Sequence, residues 1–300
     1  MKYDGVKVPI RCYQTQSTCF RGTHAMEVYG VLWHSTGANN PYIKRYVQPD
    51  DDAINRTDML NLLGKNQYGN DWNHTYHEAG LNAWIGKLAD GSVATVQTMP
   101  WDYAPWGCGV AYKGGPSCNS HWIQFEICED GLDDPVYFNQ VYTEACELTA
   151  YLCKLFNVDP QGAVRFAGKD LPTILCHQDS YQYGVGCNHG DVYHWFKRHG
   201  KTMQSVRDDV EAIMASFSPQ PKPSDSKEDE DMSSQSPIYN QVSDCPGYAQ
   251  STIIKMLKKG FITGTGTGRK DSEGRPADLS LSLDMLRVFV VMDRAGVFGG

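Results

Sequence analysis

Two apolar runs that each stop at a histidine constrain this chain more than any other feature. One is Gly30-Val31-Leu32-Trp33-His34-Ser35-Thr36-Gly37 and the other is Leu175-Cys176-His177-Gln178-Asp179. Such runs read as buried strands, and the end of a strand is where an α/β sheet usually carries its chemistry. A histidine taken alone is more often a hydrogen-bonded structural residue than a ligand. Two at strand ends, with a carboxylate nearby, fit a three-ligand zinc site whose fourth position stays open to water. The stretch Cys187-Asn188-His189-Gly190-Asp191-Val192 offers three candidates for the third ligand: Cys187, His189 and Asp191.

The rest of the composition narrows the setting. At 300 residues the chain has room for one good-sized core and a small second module. A net charge of -8 argues against nucleic acid as the main partner. No window approaches the apolar length of a membrane span, so no membrane association is expected. Met1-Lys2-Tyr3-Asp4-Gly5-Val6-Lys7 carries no apolar stretch of the kind a secretory signal needs, which points to synthesis in the cytoplasm. Several of the ten cysteines, such as Cys128, Cys146, Cys153 and Cys176, sit inside apolar runs, and none forms a CxxC pair. Buried free thiols in a reducing compartment are the better reading.

Residues 1–216 read as one α/β domain. Ala83–Leu88 and Val93–Gln97 flank Asp90-Gly91 and predict a hairpin. Trp122–Cys128 predicts a further strand, in which Ile123, Phe125 and Ile127 face one side while Gln124, Glu126 and Cys128 share the other. Phe138, Val141, Ala145, Leu148, Leu152 and Leu155 recur at helical spacing, as do Val206, Val210, Ile213, Met214 and Phe217. Residues 217–243 turn Pro-rich and then acidic, a composition that buries too little apolar surface to fold and reads as an extended linker. Residues 244–300 form a small helical module, with helices from Tyr248 to Gly260 and from about Leu283 to Ala295 around a Gly-rich turn.

The motifs Val31-Leu32-Trp33-His34-Ser35-Thr36-Gly37, Ile123-Gln124-Phe125-Glu126, His177 with Asp179, and His189-Gly190-Asp191 occur in the order that characterises one family. Over about residues 25–200 the chain resembles the zinc-dependent N-acetylmuramoyl-L-alanine amidases, the class that includes phage lysozyme-type amidases and peptidoglycan recognition proteins. That resemblance implies a central mixed β-sheet flanked by helices. It also implies Zn2+ held by two histidines and a cysteine or aspartate, with a basic residue two positions before the third ligand supporting the oxyanion. On this spacing Asp191 is the expected ligand beside His34 and His177, and His189 the oxyanion partner; Cys187 has only Val185 at the corresponding place. The resemblance further implies a catalytic carboxylate at Glu126, where the residues alone fit either a cleft-lining or a solvated group. Asp179 reads equally as a group orienting an imidazole or as a helix cap. Tyr103, Trp106, Tyr181 and Tyr183 lie in loops near the motifs, where packing is the simpler role. The chain departs from the family in a longer gap from His177 to Asp191, and in Trp106-Gly107-Cys108, where many members carry a Trp-His element.

In the last module, Lys259-Gly260-Phe261-Ile262-Thr263-Gly264 and Arg275-Pro276 before a helix resemble a single S-layer-homology-type motif, which implies attachment to cell-wall polymers. Such motifs usually come in threes, so a lone one is also a natural candidate for pairing between chains. The function expected is cleavage of the amide between muramic acid and L-alanine in bacterial peptidoglycan by an endolysin, made in the cytoplasm and acting on the wall after release. A cytosolic muropeptide-recycling amidase and a non-catalytic peptidoglycan-binding module are the alternatives. A tethered module favours the endolysin, because a soluble substrate needs no tether.

Overall fold

A computed structural model describes residues 9–112, 114–216, 238–245 and 247–294. The chain divides into two compact units, Met1–Lys222 and Pro223–Gly300. Met1–Lys7, Phe217, Ala295 and most of the expected linker, 217–237, lie outside the described residues.

The first unit runs β1 (Ile10–Arg11), α1 (Thr18–Gly22), β2 (Gly30–Ser35), α2 (Arg56–Leu63), β3 (Ala83–Lys87), β4 (Val93–Gln97), β5 (Trp122–Ile127), α3 (Pro135–Phe156), β6 (Ala163–Phe166), β7 (Lys169–Pro172), β8 (Ile174–Cys176), α4 (His177–Tyr183), α5 (Tyr193–Phe196) and α6 (Met203–Ser216). A six-stranded sheet has the order β1-β4-β3-β5-β2-β8. Only the β3–β4 pair is antiparallel, which makes this the expected mixed sheet flanked by helices.

Local chemistry explains the elements. Gly91 turns the β3–β4 hairpin with φ of 84°, a conformation glycine adopts without a Cβ penalty. The Asp134 carboxylate caps α3 by accepting from the amides of Val136 and Tyr137, Pro135 occupies the first turn, and Asn157 ends the helix in the left-handed region. Phe138, Val141, Ala145, Leu148 and Leu152 are buried as their spacing requires. Leu155, expected on the same stripe, is 52% exposed. At the helix end it is Phe156 that packs on the core, because a 3.6-residue period drifts off a strict three-four alternation. Val206 and Val210 of α6 are fully buried, with Ile213 and Met214 packed against the same core.

The alternation of side chains across the three adjacent strands β5, β2 and β8 sets up the site. Val31 and Trp33, Ile123, Phe125 and Ile127, and Ile174 and Cys176 all enter the core beneath α3 and α6. Leu32, Trp122 and Leu175 enter a smaller cluster on the opposite face. Period two then puts His34, Gln124 and Glu126 on that second face, with His177 following directly from β8. The register is fixed by parallel pairing: Trp33 opposes Phe125 and Cys176, and His34 opposes Glu126.

The second unit contains β9 (Ile238–Tyr239), α7 (Gly247–Lys258), β10 (Leu281–Ser282) and α8 (Leu283–Arg294). Its core gathers Val242, Ala249, Ile253, Met256, Leu279, Leu281 and Leu286. The Gly-rich turn wraps the Asp278 carboxylate, which accepts from the amide and hydroxyl of Thr267 and from the Thr265 hydroxyl. The antiparallel β9–β10 pair adds a strand component to a module that reads from its sequence as purely helical.

Gly30 is where the sheet is least tolerant. A Cβ there would lie 1.9 Å from the Thr173 carbonyl oxygen, which already accepts from the Val31 amide and the Trp122 indole. The Gly30→Ala variant is expected to push β8 off β2, to lose about 1–3 kcal/mol as other overpacked cores do, and so to melt several degrees lower by calorimetry. An unchanged melting temperature would show that the two strands are not held at this distance.

Candidate active site

His34 is the penultimate residue of β2, His177 opens α4 directly after β8, and Asp191 lies on the segment leading into α5. The Nδ1 atoms of His34 and His177 are 3.0 Å apart. Asp191 places Oδ2 3.3 Å from His34 Nδ1 and Oδ1 3.5 Å from His177 Nδ1. All three residues are buried. Two imidazole nitrogens and a carboxylate converging on one point, away from water, are a group that could hold a metal ion.

A hydrogen-bonded chain behind His34 fixes which of its nitrogens faces that point. The Asn119 side-chain amide donates to the Gly109 carbonyl, so its Oδ1 is turned toward the Cys108 amide and Gln124 Nε2, from both of which it accepts. Gln124 Oε1 therefore faces His34 Nε2 at 2.9 Å and accepts its proton. The Nδ1 lone pair is left free for a metal, an arrangement common behind metal-binding histidines. Gly107 is part of this device. A Cβ there would fall 2.3 Å from Gln124 Oε1 and 3.0 Å from His34 Nε2. The close approach is why a glycine stands where the resemblance leads one to expect a histidine.

Electrostatics follow from burial. Burial opposes charge on His34, but its hydrogen bonds to Asp191 and Cys108, with Glu126 nearby, outweigh that and hold its pKa well above the ordinary value. For His177 burial wins and the pKa is lowered. Burial would raise Asp191, yet the hydrogen bonds from His177 and His34 hold it far below the usual carboxylate range. Without a metal, the site thus keeps a proton on His34 against an ionised Asp191. Glu126 is the member of β5 that is not fully buried, and it stands beside His34 across the β2–β5 ladder. Burial, with Asp191 and Glu129 adding to it and His34 opposing, pushes its carboxyl from 4.5 up to about 8.

The structure therefore brings His34, His177 and Asp191 together, with Glu126 beside His34 across the ladder. His189 sits at the mouth, its ring centroid 4.6 Å from that of His177. Cys187 does not share the point where the other three meet. Its Sγ lies 3.3 Å from His177 Nε2, the opposite ring nitrogen, and 3.2 Å from His189 Nδ1. Asp179 touches no imidazole: it accepts from the Cys176 amide at the start of α4 and from the Tyr193 hydroxyl. Tyr103 packs on Phe20, whereas Tyr181 and Tyr183, expected in a loop, belong to α4, where Tyr181 packs on Tyr112. All ten cysteines are free, and all but Cys187 are buried. Gln124, Asn119 and Gly107 are the functional positions that sequence reasoning missed. The shared face of Gln124 and Glu126 in β5 was the available signal for the first.

A mixed sheet flanked by helices, with His34, His177 and Asp191 gathered at its strand ends, is the setting in which the family of this chain is read. The chain belongs to the N-acetylmuramoyl-L-alanine amidase family, whose model matches residues 24–192. Among solved structures it is similar to Staphylococcus aureus hydrolase AmiA in complex with its ligand, at 17% identity and a TM-score of 0.46 over 70% of this chain and 86% of that one. It is also similar to the endolysin N-acetylmuramoyl-L-alanine amidase LysCS from Clostridium intestinale, at 14% identity and a TM-score of 0.33 over 65% and 97%. No curated protein sequence matches the chain. Among the described residues no helix is long and apolar enough to cross a membrane.

Two outcomes are expected from this geometry. Gly107→Ala should displace the Gln124 amide and weaken zinc binding by about 10–100-fold, read by competition with a chromogenic chelator; unchanged affinity would remove Gln124 from the support of His34. The second concerns Glu126 in metal-free protein. Below pH 4.5 its carboxyl is protonated both folded and unfolded. Between 4.5 and about 8 only the unfolded chain ionises it, so stability falls as pH rises, by at most about 1.4 kcal/mol per unit. Glu126→Gln should therefore raise the metal-free melting temperature more at pH 8 than at pH 5. Equal shifts at the two pH values would place the carboxyl in water.

Proposed function

We propose that residues 1–216 are the catalytic domain of a zinc-dependent peptidoglycan amidase, with His34, His177 and Asp191 as the metal ligands, Glu126 as the proton carrier and His189 as the oxyanion partner. The observation that carries the reading is the convergence of two Nδ1 atoms and a carboxylate within 3.5 Å of one another beside Glu126.

Zinc bound there supplies a Lewis acid that polarises the scissile carbonyl and brings the pKa of water toward neutrality. The chain's own groups do the rest. Glu126 takes a proton from the attacking water as its oxygen bonds to the lactyl carbonyl carbon of muramic acid. It then returns that proton to the L-alanine nitrogen as the carbon–nitrogen bond breaks. An imidazole N–H of His189, exposed at the mouth, donates to the oxygen that carries negative charge in between. Gln124 holds His34 in the ligating tautomer throughout.

The second unit, with a core of its own, suits an appended wall-binding module, and this favours an endolysin that acts on insoluble wall over an enzyme for soluble fragments. Pairing between copies of that unit is the other use its small core supports.

A digest of purified peptidoglycan is expected to free new L-alanine amino termini without new reducing sugar ends, and to stop when a chelator is added. Glu126→Gln should lower turnover by at least about 100-fold while zinc content and wall binding persist. Asp191→Ala should lose the zinc held between His34 and His177. New amino termini other than L-alanine would make the enzyme a peptidase. Near-normal turnover in Glu126→Gln would take Glu126 out of the reaction.

A further inference from the structure

We infer that the chain holds a second, thiolate-containing divalent metal site, built from Cys187 Sγ, His189 Nδ1 and the Nε2 of His177, back to back with the first site across one imidazole. The inference rests on the reading above in one respect: His34, His177 Nδ1 and Asp191 hold the first ion.

The two candidate ligands that sequence spacing sets against each other, Asp191 and Cys187, face opposite nitrogens of the same ring. Asp191 Oδ1 is 3.5 Å from His177 Nδ1, and Cys187 Sγ is 3.3 Å from His177 Nε2. They do not compete for one ion. Each belongs to its own group of three donors, His34, His177 and Asp191 in one and His177, Cys187 and His189 in the other, and within each group the ligating atoms lie within 4.8 Å of one another.

The second group is built rather than accidental. The Cys187 amide donates to the Cys108 carbonyl and the Tyr112 amide to the Gly186 carbonyl, which pins the loop on both sides. Gly109, with φ of 61°, leaves room for the thiol, because a Cβ there would lie 2.6 Å from Sγ. Gln178 and Val185 tie the same segment to Asp191 and Ser180 through main-chain hydrogen bonds. The first group is buried, whereas His189 is exposed and Cys187 half-exposed, so the second is open to ions from solvent.

Donor chemistry defines what it takes. One thiolate and two imidazoles suit zinc and softer divalent ions such as cadmium, and disfavour magnesium and calcium. Binding a second ion displaces the thiol proton of Cys187 and the Nε2 proton of His177, both released to water, and leaves His177 as a bridging imidazolate. The ion also occupies the Nδ1 of His189, the group proposed to meet the oxyanion. Excess zinc is therefore expected to inhibit.

The test is titration of the metal-free full-length protein with cadmium, following both stoichiometry by calorimetry and the ultraviolet thiolate-to-metal charge-transfer band. The other nine cysteines are buried, so the band reports Cys187. Wild type is expected to take two equivalents, one of them with the band. Cys187→Ser should take one equivalent without the band, and Asp191→Ala one equivalent with it. His189→Ala should weaken the band-forming equivalent at least about tenfold and leave the other unchanged. A single equivalent in wild type that persists in Cys187→Ser and shows no band would overturn the second site and leave the first intact. A single equivalent with the band, lost in Cys187→Ser but kept in Asp191→Ala, would overturn both this site and the ligand assignment of the proposed function. Two equivalents retained in Cys187→Ser would also overturn it.

Discussion

Everything in the first unit bears on the 3.0 Å approach of two imidazole nitrogens inside a buried pocket. Two such nitrogens repel through their lone pairs unless something positive stands between or beside them. In the metal-free chain a proton on His34 takes that part against the ionised Asp191, and burial keeps water from doing the work instead. A proton satisfies one pair of atoms, whereas three donors aimed at one point could hold a metal ion with several coordination positions. The sheet supplies the rigidity: β5, β2 and β8 are parallel neighbours, and their side-chain alternation sends Gln124, Glu126 and His34 to one face, with His177 at the adjoining strand end.

Much of this was legible in the sequence because it is local. An apolar run that ends at a histidine states both the strand and the position of its last side chain. The alternation in Trp122–Cys128 states which residues share a face. The hairpin at Asp90-Gly91 and the capped helix after Asp134 likewise carry their own signals. What stayed hidden depends on contacts between distant segments. The amide orientation of Gln124 is decided by Asn119 and Gly109, and the need for glycine at 107 by the Gln124 side chain on β5. No one-dimensional spacing records which ring nitrogen a ligand will face, so Cys187 and Asp191 looked like rivals until the ring between them was placed. Short elements were lost for a different reason: β6 and β7, each four residues, and β9 and β10, each two, lie below the length at which a period is recognisable.

Glu126 shows how one environment serves two purposes. In a solvated strand it would be an ordinary carboxylate, ionised at neutral pH and a weak base. Its partly buried position beside Asp191 and Glu129 raises its proton affinity by disfavouring a further negative charge. A carboxyl that titrates near 8 is, however, mostly protonated at neutral pH and cannot accept a proton from water. Positive charge at the donors next to it would favour the ionised form, as His34 already does in part, since a charge separated by a few ångströms of protein acts far more strongly than through water. On the proposed reading, a cation held by His34, His177 and Asp191 in place of the single proton would leave Glu126 ionised at neutral pH and able to accept a proton from water.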